Sequence, residues 1–143
     1  LRLPGITGGF KLVLAHGVVA RIYASFDRVI SLLRPEREFS NVYIEVLNTK
    51  PGVAIAIGEK YFIRAGNYLA LALIFVEEER STLVKAIATG GRRGPLDLFD
   101  LGSSRDYAVE SITRMCEALR AECEVLREVD YLDASKSEVL RVT

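Results

Sequence analysis

The stretch Tyr68-Leu-Ala-Leu-Ala-Leu-Ile-Phe-Val76 decides the fold. Leu69, Leu71, Leu73 and Phe75 alternate with Ala70, Ala72 and Ile74. A period of two marks a strand, because successive strand side chains point to opposite faces. The pattern extends upstream. Val42, Ile44 and Val46 alternate with Tyr43, Glu45 and Leu47. After the turn Asn48-Thr-Lys-Pro-Gly52, Val53, Ile55 and Ile57 alternate with Ala54 and Ala56. Gly58-Glu-Lys60 reads as another turn, residues 61–64 as a short strand, and Gly66-Asn67 as a hairpin signal. Downstream, Glu77-Glu-Glu-Arg80 is a charged turn and residues 81–88 form a further strand. Five strands joined by short turns predict an antiparallel meander.

Two features of this meander carry physical content. Ala54, Ala56, Ala70, Ala72, Ala86 and Ala88 are expected to share one face of small side chains. Alanine is a poor strand former, so something else keeps it there. Close packing of a helix is one reason. A concave cavity for a small apolar ligand is the other. In addition, both faces of the meander are apolar, whereas an antiparallel sheet usually shows water one polar face. A monomer rarely leaves so large an apolar patch bare. One face is therefore expected under helices and the other under a second copy. The expectation is a homo-oligomer, most simply a two-fold dimer.

The flanking segments read as helical. Val19, Ile22, Phe26, Val29, Ile30 and Leu33 recur at intervals of three and four, which predicts a helix over residues 18–33, ended by Pro35. Ahead of it, residues 1–9 read as an irregular lead-in, residues 10–15 as a short strand, and His16-Gly17 as its break. Ser103-Ser-Arg-Asp106 resembles a capping box and opens a long helix predicted to reach about Val129. Val109, Cys116 and Cys123 fall on one heptad position, and Ile112, Leu119 and Leu126 on the other. That stripe is expected to lie on the sheet. Residues 130–143 leave room for one short last element. The fold class expected is α+β: an antiparallel sheet in the order β-α-β5-α, packed on a long C-terminal helix, in a single domain spanning residues 1–143.

Composition excludes some roles. Nineteen basic residues balance nineteen acidic ones, which argues against wholesale binding to nucleic acid or an anionic membrane. No stretch carries the run of about eighteen apolar residues that a membrane span needs. No signal peptide is visible, and the lack of an expected disulfide framework makes a reducing cytoplasm the expected setting. The absence of Gln and Trp and the scarcity of Asn and Met are a thermophile tendency. Cys116 and Cys123 on one helix would stand about 10.5 Å apart along its axis, too far to bridge. They are expected to be small core residues.

Chemistry is sparse. Gly90-Gly-Arg-Arg-Gly94 offers flexible backbone donors and two cations for an anion, but it has no Gly-Lys-Ser/Thr and is not contiguous with the following helix. Asp97, Asp100 and Asp106 match no calcium loop, and capping accounts for Asp106. His16, the single histidine, has no metal-ligand partners nearby in sequence. No catalytic residue and no cofactor is therefore expected. The residues expected to line a ligand pocket between sheet and helix are Ala70, Ala72, Ala86, Ile112 and Cys116, with Arg92 and Arg93 at its mouth. Tyr61, Arg64 and Tyr68 form a candidate polar rim. The alternatives are an interaction module that uses the apolar sheet face, and an enzyme or anion site in the loop of residues 90–106.

Two resemblances follow. The element order is similar to the helix-grip arrangement of Bet v 1 and START-type proteins, which implies a curved sheet around a long last helix and an apolar cavity. The segments Glu59-Lys-Tyr-Phe62, Asn67-Tyr-Leu69, Ala88-Thr-Gly-Gly91 and Leu101-Gly102 resemble a family of small uncharacterised prokaryotic proteins of unknown function. That resemblance covers the middle of the chain and implies a shared fold, not an activity.

Overall fold

A computed structural model describes residues 15–33, 41–62, 67–90, 103–130 and 135–141. In chain order these form β1 (Ala15–Ile22), α1 (Phe26–Ile30), β2 (Asn41–Leu47), β3 (Val53–Phe62), β4 (Asn67–Glu77), β5 (Thr82–Gly90), α2 (Ser103–Leu119), β6 (Cys123–Asp130) and a 3-10 helix (Lys136–Leu140). The strands make one six-stranded sheet in the order β2-β3-β4-β5-β1-β6. Every pairing is antiparallel. The α+β class and the antiparallel meander stand.

The meander has four strands instead of five. The segment predicted at residues 53–57 and the described start of the one predicted at 61–64 are one strand, β3 (Val53–Phe62), which runs unbroken through Gly58; residues 63 and 64 lie outside the described residues. Gly58 pairs with Val42 on one side and Leu71 on the other, so it extends the ladder where a turn was expected.

The helix predicted over residues 18–33 is corrected. Ala15–Ile22 is a strand, and only Phe26–Ile30 is helical. The apolar spacing misled because β1 lies between β5 and β6 and is buried at nearly every position. A strand covered on both faces loses its alternation and cannot be told from a buried helix by period. The short helix α1 is opened by Ser25, whose side chain accepts from the Arg28 N–H at 3.3 Å. The buried Thr82 hydroxyl donates to the Ala24 carbonyl at 3.0 Å and ties this corner to β5.

The long C-terminal helix is also corrected, and with it the helix-grip arrangement. α2 stops at Leu119. Arg120 takes φ 50°, in the left-handed region. Its N–H donates to the Glu117 carbonyl and the Ala121 N–H to the Cys116 carbonyl, each at 3.1 Å. These two bonds are the Schellman pattern that satisfies the last carbonyls of a helix. Arg28 Nη2 donates to a further one, the Leu119 carbonyl, at 3.0 Å. The chain then reverses into β6, which pairs with β1 from His16 to Ile22 with a bulge between Val19 and Ala20.

That reversal overturns the expectation of unbridged cysteines. Cys116 and Cys123 form a disulfide with Cα atoms 6.3 Å apart. The bridge links the last turn of α2 to the first residue of β6. A loop this short is worth about 2–3 kcal/mol in the chain-entropy account.

The main core lies between the sheet and α2. Leu69, Leu71, Leu73 and Phe75 of β4 meet Tyr107, Ala108, Ile112, Met115 and Leu119 of α2, with Val18, Ala20 and Ile22 of β1 beside them. Cross-strand rows mix sizes: Ala54–Phe75–Val84, Ala56–Leu73–Ala86 and Gly58–Leu71–Ala88. Large side chains of β4 stand between small ones of β3 and β5, which lets both layers interdigitate. A second, smaller cluster holds the other face, where Leu140 of the 3-10 helix covers Val19 and Leu83.

Candidate functional site

The expected pocket residues do not assemble as one wall. Ala86 is fully buried on the α2 side, and Ile112 is buried there too. Ala70 and Ala72 are on the opposite face, in line with Glu59 and Ile57 of β3. Ala70 is exposed and Ala72 half-buried. The six alanines therefore share no single face. Ala54, Ala56, Ala86 and Ala88 are core, and the β4 pair is not. Arg92, Arg93, Asp97, Asp100 and most of the loop of residues 90–106 lie outside the described residues, as does Arg64 of the candidate rim. Asp106 sits in the first turn of α2.

Ile112 and Cys116 do share a depression. With Thr113, Glu117, Ala121 and Val125 they line an open cleft of about 410 Å³ between the end of α2 and the start of β6. The volume is above the low end for ligand sites, about 300 Å³. It opens to solvent beside the disulfide, not inside the core.

A polar cluster missed in the sequence sits at the other end of β1. His16 is 2 % exposed. Its Nδ1 bonds to Asp130 Oδ1, and its Nε2 lies 3.0 Å from Glu128 Oε1. Arg105 Nε stands 3.5 Å from the same Glu128 oxygen. Both nitrogens are engaged, so neither is open to a substrate proton or a metal ion. The cluster works as a clamp between β1 and the edge strand β6 beside it. More than one hundred residues separate His16 from its two carboxylates, so no local signal could have grouped them. Among the described residues no group of His, Cys, Asp or Glu is arranged to hold a metal ion, and no helix is long and apolar enough to cross a membrane.

The other notable surface is the sheet face away from α2. Its register gives three rows across β2, β3, β4 and β5: Tyr43–Ile57–Ala72–Ile87, Glu45–Ile55–Ile74–Lys85 and Leu47–Val53–Val76–Leu83. On the β1 side the 3-10 helix covers Leu83, and Val76 and Ile87 pack against the same cluster. Toward β2 it is open: Tyr43 is 59 % and Ile57 49 % exposed. Both faces of the sheet are apolar, and part of one is uncovered.

Residues 20–120 match DUF6054, a family of unknown function. The match takes in the whole meander and all the segments on which the resemblance to an uncharacterised family rests. No curated protein matches the chain, and no solved structure does.

Proposed function

We propose an association role for this chain, which belongs to DUF6054, a family of unknown function. The sheet face opposite α2 is the contact surface, and its occupant is a second copy of the chain. The carrying observation is the row Glu45–Ile55–Ile74–Lys85. Consider a two-fold axis parallel to the strands, between β3 and β4. It brings Glu45 of one copy to Lys85 of the other, and Ile55 to Ile74. The neighbouring rows bring Ile57 to Ala72 and Val53 to Val76. The face is thus self-complementary in shape class and in charge, as an isologous interface must be. Sheets packed this way cross at about 30°. The balanced net charge sets no long-range repulsion against pairing.

The test is sedimentation equilibrium at micromolar concentration. The parent chain is expected to be a dimer, and Ile57→Lys, at an exposed position, a folded monomer. A parent that sediments as a monomer ends the reading.

A second reading rests on the cleft lined by Ile112, Cys116 and Val125, which fits a small apolar ligand without catalysis. Saturable fluorescence of anilinonaphthalene sulfonate, lost in Val125→Asp, supports it. Dye fluorescence unchanged by that substitution counts against it.

A further inference from the structure

The molecule holds one covalent link that a solvent species can reach. Cys123 is exposed and Cys116 half-buried, and both line the open cleft. The link joins two cleft walls, the last turn of α2 and the first residues of β6. Each wall has other attachments. α2 is anchored by Tyr107, Ile112, Met115 and Leu119 in the core. β6 is anchored by its ladder to β1, and Tyr23 N–H donates to the Glu122 carbonyl at 2.9 Å. The helix end is closed by the Schellman bonds, which do not involve sulfur. Breaking the link therefore frees the connection of residues 120–122 from one constraint and leaves the core in place. The chain has no other cysteine, so the pair cannot reshuffle.

We infer that Cys116–Cys123 is a reversible thiol–disulfide exchange site whose reduction loosens the cleft between α2 and β6. The co-reactant is a thiol reductant of the glutathione or dithiol class. Its thiolate attacks the exposed Cys123 sulfur, the S–S bond breaks, and Cys116 leaves as a thiolate that takes a proton from solvent. A second thiol then attacks the reductant's own sulfur in the mixed disulfide and releases Cys123. The protein gains two electrons and two protons, and the reductant is oxidised to its disulfide. The cleft opens on the side of Val125, which moves away from Ile112, held in the core. An exposed link of this kind belongs to the labile, regulatory class, whereas a permanent staple resists the glutathione pool.

The experiment equilibrates the intact chain in glutathione buffers from fully oxidised to fully reduced. Alkylation and mass spectrometry count free thiols, circular dichroism follows the fold, and hydrogen exchange follows local opening. The expected result is a reversible conversion between zero and two free thiols with unchanged circular dichroism. Loss of exchange protection is expected only within residues 116–126. The double variant Cys116→Ser/Cys123→Ser is expected to show the reduced pattern in every buffer. Global unfolding on reduction, a bridge that survives the fully reduced buffer, or reduction without local loss of protection would each overturn the proposal.

Discussion

The Ala121 N–H donates to the carbonyl of Cys116, five residues back, at 3.1 Å. That bond exists because Arg120 accepts a left-handed backbone, φ 50°, which glycine adopts without strain and other residues at a cost of roughly 1 kcal/mol. Arg120→Gly should therefore raise stability by up to about 1 kcal/mol, less the entropy that glycine adds to the unfolded chain. Arg120→Val, with a branched Cβ in the same conformation, should lower it. Urea unfolding of the three proteins reads the order directly. If valine is tolerated as well as glycine, the turn does not depend on the left-handed residue.

Gly17 lies under Leu140. A Cβ placed on Gly17 would collide with the Leu140 side chain, which is buried against Val19 and Leu83. Gly17→Ala should cost about 1–3 kcal/mol through overpacking. Leu140→Ala should cost about 2 kcal/mol, the low end for buried leucines because the site is at the margin of the sheet. The double variant should fall short of the sum by about 1 kcal/mol, since the added methyl occupies space that Leu140 vacates. Strict additivity in a double-mutant cycle would mean that the two positions do not touch.

Arg21 and Glu78 set a pH dependence. Arg21 Nε donates to Glu78 Oε1 at 2.8 Å, and its Nη2 to Oε2 at 3.1 Å. The Arg21 guanidinium holds the Glu78 carboxyl below the usual glutamate range, and the Ser81 hydroxyl assists. A lowered folded-state value means that the unfolded chain binds the proton first. The pair's stabilisation is complete above the ordinary glutamate value, about 4.3. It is lost as pH falls through the lower folded value. Glu78→Gln should flatten the stability profile in that acid window and leave its slope near neutrality alone. Thermal melts across the acid range test this, and an unchanged acid slope in the variant would discount the pair.

The proposed dimer makes a charge prediction that a generic sticky face does not. Glu45→Lys and Lys85→Glu should each weaken association, because each leaves like charges opposed across the axis. Combined, they should restore it, because the pair is inverted and not removed. The dissociation constants come from sedimentation, and the rescue should shrink in high salt. Two weakened singles with a still weaker double would rule out this axis even if the protein dimerises.

Much of the fold was legible where the chain reports on itself. The alternation in residues 42–47, 53–57, 68–76 and 81–88 fixed the meander, because a strand with distinct neighbours on each face writes its period into the sequence. The two apolar faces were legible for the same reason, and so was the start of α2 at Ser103. The serine-capped turn before α1 was not separated from the strand ahead of it. Of the expected pocket residues, Ile112 and Cys116 share the cleft, while Ala70 and Ala72 went to the other face. Strand parity separates Ala72 from Leu71 and Leu73, but parity alone does not say which face meets the helix.

By itself, then, the sequence determined an α+β chain with a two-sided apolar antiparallel meander and a following amphipathic helix. Tertiary structure decided the rest. β1 is a strand because β5 and β6 pair with both its edges while α2 and the 3-10 helix cover its faces, and its own apolar spacing suits a helix equally well. α2 ends at Leu119 without glycine or proline because the Schellman bonds, Arg28 and the pairing of β6 with β1 together outweigh the cost of a left-handed arginine. Only after that reversal do Cys116 and Cys123 meet, and only then does His16 reach Glu128 and Asp130. The reason is range: periodicity encodes what a residue does relative to its neighbours in the chain. The β1–β6 pairing and the contacts of His16 and Arg28 join segments about a hundred residues apart, and the seven-residue Cys116–Cys123 bridge forms only because that pairing turns the chain back.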